Sequence, residues 1–320
     1  MNIIDTEISK IGTENDHGLT IDWVIANHCN YACNYCDPML YGNTSGWPNI
    51  NSALSFFDKV HNQLNDNEKM LTLSGGEPTL WPELFYFLEN IHESYNITIV
   101  SNGSRSLRWW NKLSETKRIK HLVISVHMEY ANIDYISQVI DVMSKNTGVA
   151  VFVVMNPFKI TEAKKFAIDL KEKDLYCKIL LKSVMPNRNI SDKSVYTYDK
   201  ETLKFMNEWH YWKKNNNITS PSLGNSLYIN NKKTNNTFMD LVNNRLNCFK
   251  GWKCNIIKNR LAIGINGDIK GATCSTAKNF KIGNINNDNI DLTSISKDPV
   301  ICKDIWCGCI DDIKIPKEKI

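Results

Sequence analysis

The sequence predicts an α/β protein with a mostly parallel sheet, followed by a small cysteine-rich unit. Three observations carry this. Six short runs rich in β-branched residues lie between Thr20 and about Val184, each ending at a polar, Gly or Pro signal. Amphipathic helical periods fill the intervals between them. After residue 247 the pattern changes: six of the ten cysteines gather there, around a hairpin-like stretch.

"TIDWVIANH" reads as strand one and "KMLTLSGG" as strand two. "NITIVSNG", "HLVISVHM", "GVAVFVVMNP" and "CKILLKSVMP" read as strands three to six. Between them, Leu54, Phe57, Val60 and Leu64 share one helical face, as do Ile133, Ile136, Ile140 and Met143. Thr161 is placed to cap a helix carrying Phe166, Ala167 and Leu170. Trp109 and Trp110 suit a helix that buries aromatics against the sheet. Near-continuous apolar strands separated by helices imply a parallel sheet covered on both faces. Six βα units are too few for an eight-stranded barrel, so an open or partial barrel is expected. The expected organisation is an N-terminal extension (1–19), the barrel (20–215), an Asn-rich linker with loops and a short strand or helix (216–247), and the cysteine-rich unit (248–320). Within that unit, "NRLAIGINGDIKGATC" reads as a hairpin turning at Asn266-Gly267-Asp268.

The chain has 320 residues, 42% of them hydrophobic, and a net charge of +4. That balance does not resemble a polybasic nucleic-acid binder, so a nucleic-acid partner is not expected. The first residues lack a basic segment followed by an apolar core, and no window reaches transmembrane length. A cytoplasmic protein without a membrane partner is the expectation, and its cysteines are then not a disulfide framework. Cys177, alone in an apolar run, reads as a small buried hydrophobe.

Cys29-x3-Cys33-x2-Cys36 directly follows strand one, at the carboxyl end of the sheet, where α/β barrels build active sites. Tetrahedral zinc needs four ligands. Three thiols on one loop suit a 4Fe–4S cluster with one iron open. The competing reading is a zinc loop completed by His28 or Asp37. A second motif, Gly75-Gly76-Glu77-Pro78, ends strand two. Its glycines allow the backbone to approach a ligand, and Glu77 offers an acceptor for an ammonium group. The plainer reading is a strand-to-helix turn started by Pro78 or Pro82.

Taken together, with aromatic Tyr35 before the last cysteine, these motifs resemble the radical S-adenosylmethionine (radical SAM) superfamily. The resemblance implies a partial (βα)6 barrel over roughly residues 20–215. It implies that Cys29, Cys33 and Cys36 hold three irons, and that the fourth chelates the amino and carboxylate groups of SAM. Tyr35, Gly75, Gly76, Glu77 and Pro78 would then be cofactor-binding, with the second motif on the amino group. The reduced cluster would split SAM into methionine and a 5′-deoxyadenosyl radical that takes hydrogen from an unactivated carbon. Ser101 and Asn102 match positions that contact the ribose or the methionine carboxylate, and Met155 and Asn156 lie where the adenine would be. Ser125, His127 and Glu129 alternate at the end of strand four and so share a face. Ser125 is a candidate for SAM; His127 and Glu129 are the candidate catalytic residues, touching substrate or moving a proton. A satisfied core histidine is the competing reading of His127. Lys182 and Arg188 suit either an anionic substrate or ordinary solvated cations.

Cys254 and Cys274 flank the hairpin, and Cys302, Cys307 and Cys309 follow it. This resembles the twitch domain, the shorter relative of the SPASM domain, and implies an auxiliary 4Fe–4S cluster. The final spacing is C-x4-C-x-C, so five thiols compete for four positions. Cys254, Cys274 and Cys307 are expected ligands, with Cys302 or Cys309 as the fourth and Cys248 an alternate or a bystander. A structural zinc site is the competing reading.

The favoured function is radical chemistry on a small metabolite such as a sugar, cyclitol or nucleotide derivative, with flavodoxin or ferredoxin as electron donor. A peptide maturase forming a crosslink, thioether or epimer is the alternative. About twenty residues precede strand one, so no fused leader-binding domain is expected. A non-catalytic zinc scaffold would leave Gly75 to Pro78 without a role.

Overall fold

The computed structural model describes residues 7–13, 18–64, 69–184, 198–214, 227–234, 237–256, 260–274, 276–287, 290, 292 and 298–320. Arg188 lies outside them. A short strand β1 (Lys10–Thr13) precedes the six expected strands: β2 (Leu19–Val24), β3 (Lys69–Ser74), β4 (Tyr95–Ser101), β5 (Ile119–Val126), β6 (Gly148–Met155) and β7 (Lys178–Ser183). Each pairs in parallel with the next. Helices α1 (Ile50–Gln63), α2 (Leu84–Asn90), α3 (Leu107–Glu115), α4 (Ile133–Met143) and α5 (Ile160–Glu172) make the crossovers. All eight residues of β6 are buried, as a strand covered on both faces requires.

The strands alternate between two environments. Ile21, Trp23, Leu71, Leu73, Ile97, Ile99, Leu122, Ile124, Val151, Val153 and Met155 share one core with the buried helix residues Phe57, Phe87, Trp110 and Ile140. Trp23 anchors it, with Phe57, Trp81 and Phe87 rings within 5.4–5.6 Å. Trp110 is fully buried, so α3 packs its tryptophan as the sequence suggested. The intervening residues face the other side. Cross-strand register aligns Asp22 with Thr72 and Thr98 there, Ser125 with Phe152 and Leu180, and Val154 with Lys182. This inner face is the more polar one.

One local expectation fails. Thr161 does not cap α5. The helix starts at Ile160, with Lys159 at the cap position and no side-chain cap bond. The capping occurs one turn earlier, where Asn156 Oδ1 accepts from Phe158 N at 3.0 Å and starts a 3-10 turn at Pro157.

Beyond the barrel strands come α6 (Lys200–Glu208) and β8 (Tyr211–Trp212), which pairs antiparallel with β7. The Asn-rich segment contributes β9 (Leu227–Ile229), β10 (Lys232–Lys233) and α7 (Phe238–Asn243), the last started by a Thr237/Asp240 capping box. Then follow β11 (Lys253–Cys254), β12 (Arg260–Ile263), β13 (Asp268–Lys270), β14 (Lys281–Asn284), β15 (Val300–Ile301), α8 (Ile310–Ile313) and β16 (Lys317–Glu318).

β12 and β13 form the expected hairpin. Its turn is closed by Gly267 N donating to Gly264 O at 2.8 Å, so it centres on Ile265-Asn266 and Asp268 already belongs to the strand. Gly267 has φ +78°, and a Cβ there would meet Ile285 at 2.6 Å, so glycine is required twice over. β12 also pairs in parallel with β2, which makes the hairpin an edge of the barrel sheet itself. The resulting order is β14-β13-β12-β2-β3-β4-β5-β6-β7-β8. A second sheet runs β10-β9-β1-β16-β11-β15, every pairing antiparallel. It draws the segment before the barrel, the Asn-rich segment and the cysteine-rich unit into one layer.

Candidate active site

The cysteine loop is seated on the second motif. Gly76 N donates to Ala26 O at 3.0 Å, and Glu77 N to His28 O at 2.7 Å. A Cβ on Gly76 would lie 2.3 Å from His28 O and 2.4 Å from Leu40 O; one on Gly75, which has φ +148°, would lie 2.6 Å from Ala26 O. The close approach these glycines permit is to the loop that carries the thiols. Pro78 is buried and opens the 3-10 turn Pro78–Leu80.

Glu77 is fully enclosed, at 1% exposure. Its Oε1 accepts from Thr79 N (3.1 Å), Thr79 Oγ1 (2.5 Å) and Ser101 Oγ (2.8 Å), and its Oε2 from Asn102 N (2.6 Å). Burial pushes its carboxyl above the usual carboxylate range, and these bonds pull the other way. The sequence suggested an open acceptor; the structure makes Glu77 the hub that fixes Ser101 and Asn102. Asn102 Nδ2 in turn donates to Asn30 Oδ1 on the loop at 3.0 Å.

Residues that sequence reasoning passed over close the loop. Asn27 Oδ1 accepts from Thr44 N, Ser45 N and Ser45 Oγ at 2.8–3.0 Å. Cys29 N donates to Asn43 Oδ1 at 3.1 Å. The turn-forming composition of "GNTS" was the available signal. Both alternative ligands of a zinc loop are engaged elsewhere. His28 Nε2 lies 2.7 Å from Ser45 O with its ring stacked on Trp47, and Asp37 accepts from Met39 N at 3.0 Å.

The end of β5 holds the loop from the other side. Tyr35 Oη and His127 Nδ1 are 2.7 Å apart. Tyr31 stacks on Tyr130 at 3.9 Å, and Tyr130 Oη accepts from Ala32 N at 3.1 Å. A cleft between loop and sheet is lined by Tyr31, Asn102, Gly103, Val126, His127 and Tyr130. Burial, with Lys182 nearby, pulls the His127 imidazole down to about 4, so the ring is neutral. Glu129 lies in the turn after β5, so the expected strand alternation stops before it. Its Oε1 accepts from Asn156 Nδ2 at 3.0 Å, and its Oε2 is buried without a hydrogen-bond partner among the described residues. Ser125 lies on the inner face, in register with Phe152. Lys182 Nζ is 5.4 Å from the Phe152 ring, and its charge bears on both Cys36 and His127. Met155 corrects an expectation: alternation along β6 sends its side chain into the helix-covered core at 0% exposure. Asn156, one residue on, takes the site-facing direction.

The loop thiols are half-buried or buried, and desolvation pushes Cys33 up to about 12 and Cys36 to about 11. Thiols in such surroundings stay protonated unless a cation takes the proton's place. Cys29 Sγ accepts from Tyr31 N at 3.4 Å, and Cys36 N donates to Cys33 O at 3.0 Å.

A second pocket is lined by Cys254, Cys274, Cys302 and Cys307, together with Thr276, Asp304, Asp312 and Lys317. Cys309 is not in its wall; its carbonyl accepts from Ile313 N at 2.9 Å. Cys248 is exposed, and Cys177 is buried in the core. Cys307 is fixed on both sides by Asn247, its N donating to Asn247 O at 2.9 Å and its O accepting from Asn247 Nδ2 at 3.0 Å. Burial pushes Cys254 up to about 11 and Cys274 to about 12. Among the described residues, neither this pocket nor the cysteine loop groups three or more His, Cys, Asp or Glu side chains as a metal-ion site. The four thiols surround a space, and such a donor set suits a polynuclear group. Cys254 precedes β12 and Cys274 follows β13, so the hairpin returns both toward the amino end of β2. The loop thiols lie past its carboxyl end.

Fold and site together define a partial α/β barrel with a three-thiol loop at the carboxyl end of its first barrel strand. Residues 23–140 match the profile of the Radical SAM superfamily. It is 26% identical over 217 residues to a GTP 3′,8-cyclase of Sulfurovum sp. (strain NBC37-1), covering 60% of this chain and 64% of that protein. It is 32% identical over 92 residues to an S-adenosylmethionine-dependent nucleotide dehydratase of Fibrobacter sp. (strain UWH6), covering 27% and 28%. The chain thus spans less than two thirds of either relative. Among solved structures, it resembles anSMEcpe with bound AdoMet at a TM-score of 0.53 and 15% identity, over 84% of this chain and 78% of that one. Among the described residues no helix is long and apolar enough to cross a membrane.

Proposed function

We propose that the chain is a radical SAM enzyme acting on a nucleotide-class small metabolite, with a second iron–sulfur site at Cys254, Cys274, Cys302 and Cys307. One observation carries the reading: Cys29, Cys33 and Cys36 sit on a loop fitted to Gly75-Gly76 at the mouth of the barrel. When bound and reduced, a 4Fe–4S cluster there supplies the electron that cleaves SAM and so yields the radical that takes a substrate hydrogen.

This chain's residues hold and orient. The donor set of the loop, three thiols with His28 and Asp37 turned to other partners, fits a cluster with one iron left for SAM. Glu129 Oε2 is a buried acceptor with no hydrogen-bond donor among the described residues, and it suits a hydroxyl or amino hydrogen of SAM. Asn156 fixes Glu129, and His127 fixes Tyr35. Lys182 places a cation on the inner face, which suits a substrate phosphate. Thr72 and Thr98, in register on that face, give it hydrogen-bonding capacity toward a polar substrate. The two relatives, a nucleotide dehydratase and a GTP cyclase, support the nucleotide class. Flavodoxin or ferredoxin is the expected electron donor.

The test is anaerobic reconstitution followed by incubation with SAM, dithionite and each nucleoside triphosphate in turn. Stimulated release of 5′-deoxyadenosine by one nucleotide is expected. Release that no nucleotide stimulates, with stimulation by a peptide instead, would overturn the substrate class.

A further inference from the structure

We infer that Lys317 is a fixed countercharge for the four-cysteine pocket, a positioning residue that favours the more negatively charged, reduced state of the group held there. The inference rests on reading that pocket as an iron–sulfur site.

Lys317 lies on β16 at 3% exposure and lines the pocket with the four thiols. Its Nζ donates to Asp312 O (2.9 Å), Ile313 O (3.0 Å) and Ile315 O (2.7 Å). An ammonium has three hydrogens, so these three carbonyls fully occupy it. All three acceptors are neutral backbone groups. The Phe249 ring lies 4.9 Å away and adds a face of partial negative charge. The ammonium is therefore held in place and solvated by the protein, with no carboxylate among these three acceptors.

Arg260, Asp312 and Asp304 are other charged side chains at or near the pocket. Arg260 pairs with Asp22 at 2.6 Å and reaches Asp312 at 3.4 Å. Asp312 also accepts from Thr273 Oγ1 at 2.7 Å, and Asp304 from Thr276 Oγ1 at 2.7 Å. Burying an ammonium is costly unless an opposite charge offsets it. Four cysteines in the same wall offer that charge once they bind metal as thiolates.

Four thiolates on a [4Fe–4S]2+ core sum to −2; uptake of one electron makes −3. A fixed positive charge beside the group stabilises −3 more than −2, so it raises the reduction potential. Neither the lysine nor its hydrogen bonds change in the step; the electron comes from the external reductant.

The test uses the full chain with Cys29, Cys33 and Cys36 changed to Ala, so that any remaining iron belongs to the pocket. Iron and sulfide are counted, and the midpoint is read by EPR-monitored titration with dithionite. Lys317→Gln keeps donors without charge; Lys317→Arg keeps charge with altered shape. The expected result is at least a tenfold shift of the redox equilibrium against reduction in Lys317→Gln, about 59 mV for one electron. Lys317→Arg stays near the parent. Loss of iron from the Gln variant alone supports the countercharge in its more severe form. An unchanged midpoint in an iron-loaded Gln variant overturns it, as does an equal shift or equal iron loss in both variants. A parent chain without iron in the pocket refutes the reading beneath the proposal, an outcome separate from any midpoint.

Discussion

Tyr35 Oη and His127 Nδ1 meet at 2.7 Å, joining the cysteine loop to the end of β5 across 92 positions of sequence. The two rings are also near parallel, 5.9 Å apart. This contact ties His127 to Tyr35 on the loop. Tyr35→Phe and His127→Phe should each cost about 1 kcal/mol in urea unfolding of the metal-free chain, with a coupling of roughly 0.5–1.5 kcal/mol in a double-mutant cycle. Additive effects would mean that the contact is not energetically coupled. The reduced-cluster EPR signal should change in both single variants.

Cys33→Ala should remove about half of the iron from a chain expected to carry about eight per molecule when fully loaded. Release of 5′-deoxyadenosine should disappear with it. Persistence of that product would place SAM cleavage elsewhere.

Gly76→Ala drives a Cβ into two backbone carbonyls, and backbone cannot move aside as a flexible side chain can. A loss of about 3 kcal/mol or more is expected, together with poor iron retention by the loop. Gly46→Ala, with no heavy atom within 4 Å of its new Cβ, is the control and should behave as the parent.

Glu77→Ala removes the acceptor of four buried donors, two of them backbone N–H groups. Stranding them should cost about 3 kcal/mol or more, measured by denaturant midpoint. Glu77→Gln keeps one oxygen acceptor and should lose clearly less. Equal losses would show that shape and not hydrogen bonding sets the requirement.

Cys309→Ala should leave the iron content unchanged, whereas Cys307→Ala or Cys302→Ala should lose the pocket's share. Iron counting on the three variants distinguishes the thiols in the wall from the one outside it.

The barrel was legible because its strands announce themselves locally. A run such as Gly148–Met155 is apolar throughout, with valine at four of its eight positions, and β5 and β6 were found within two residues of their ends. The small sheet was not legible. Its strands are two to four residues long, too short for periodicity, and each exists only because a distant segment pairs with it. The parallel pairing of β12 with β2 has the same origin: no local pattern in "NRLAIG" names its neighbour. At the site, the thiol spacing pointed to the loop, and alternation placed Ser125 correctly on the inner face. Resemblance alone assigns Met155 to the adenine, and alternation along β6 sends it to the core instead. The partner of Gly75 and Gly76 could be read only from coordinates, since a glycine records that something comes close but not what.

The pairing of β12 with β2 also sets a distance. The loop thiols leave one end of β2, and the pocket thiols flank the other end of the strand beside it. Six residues of strand rise about 20 Å at about 3.3 Å each. A flexible tether between two redox-capable groups would let that gap vary and the rate of any exchange vary with it. The ladder from Thr20 to Trp23 fixes the strands between those two ends, and a molecule resting against the inner face would lie in the span they set.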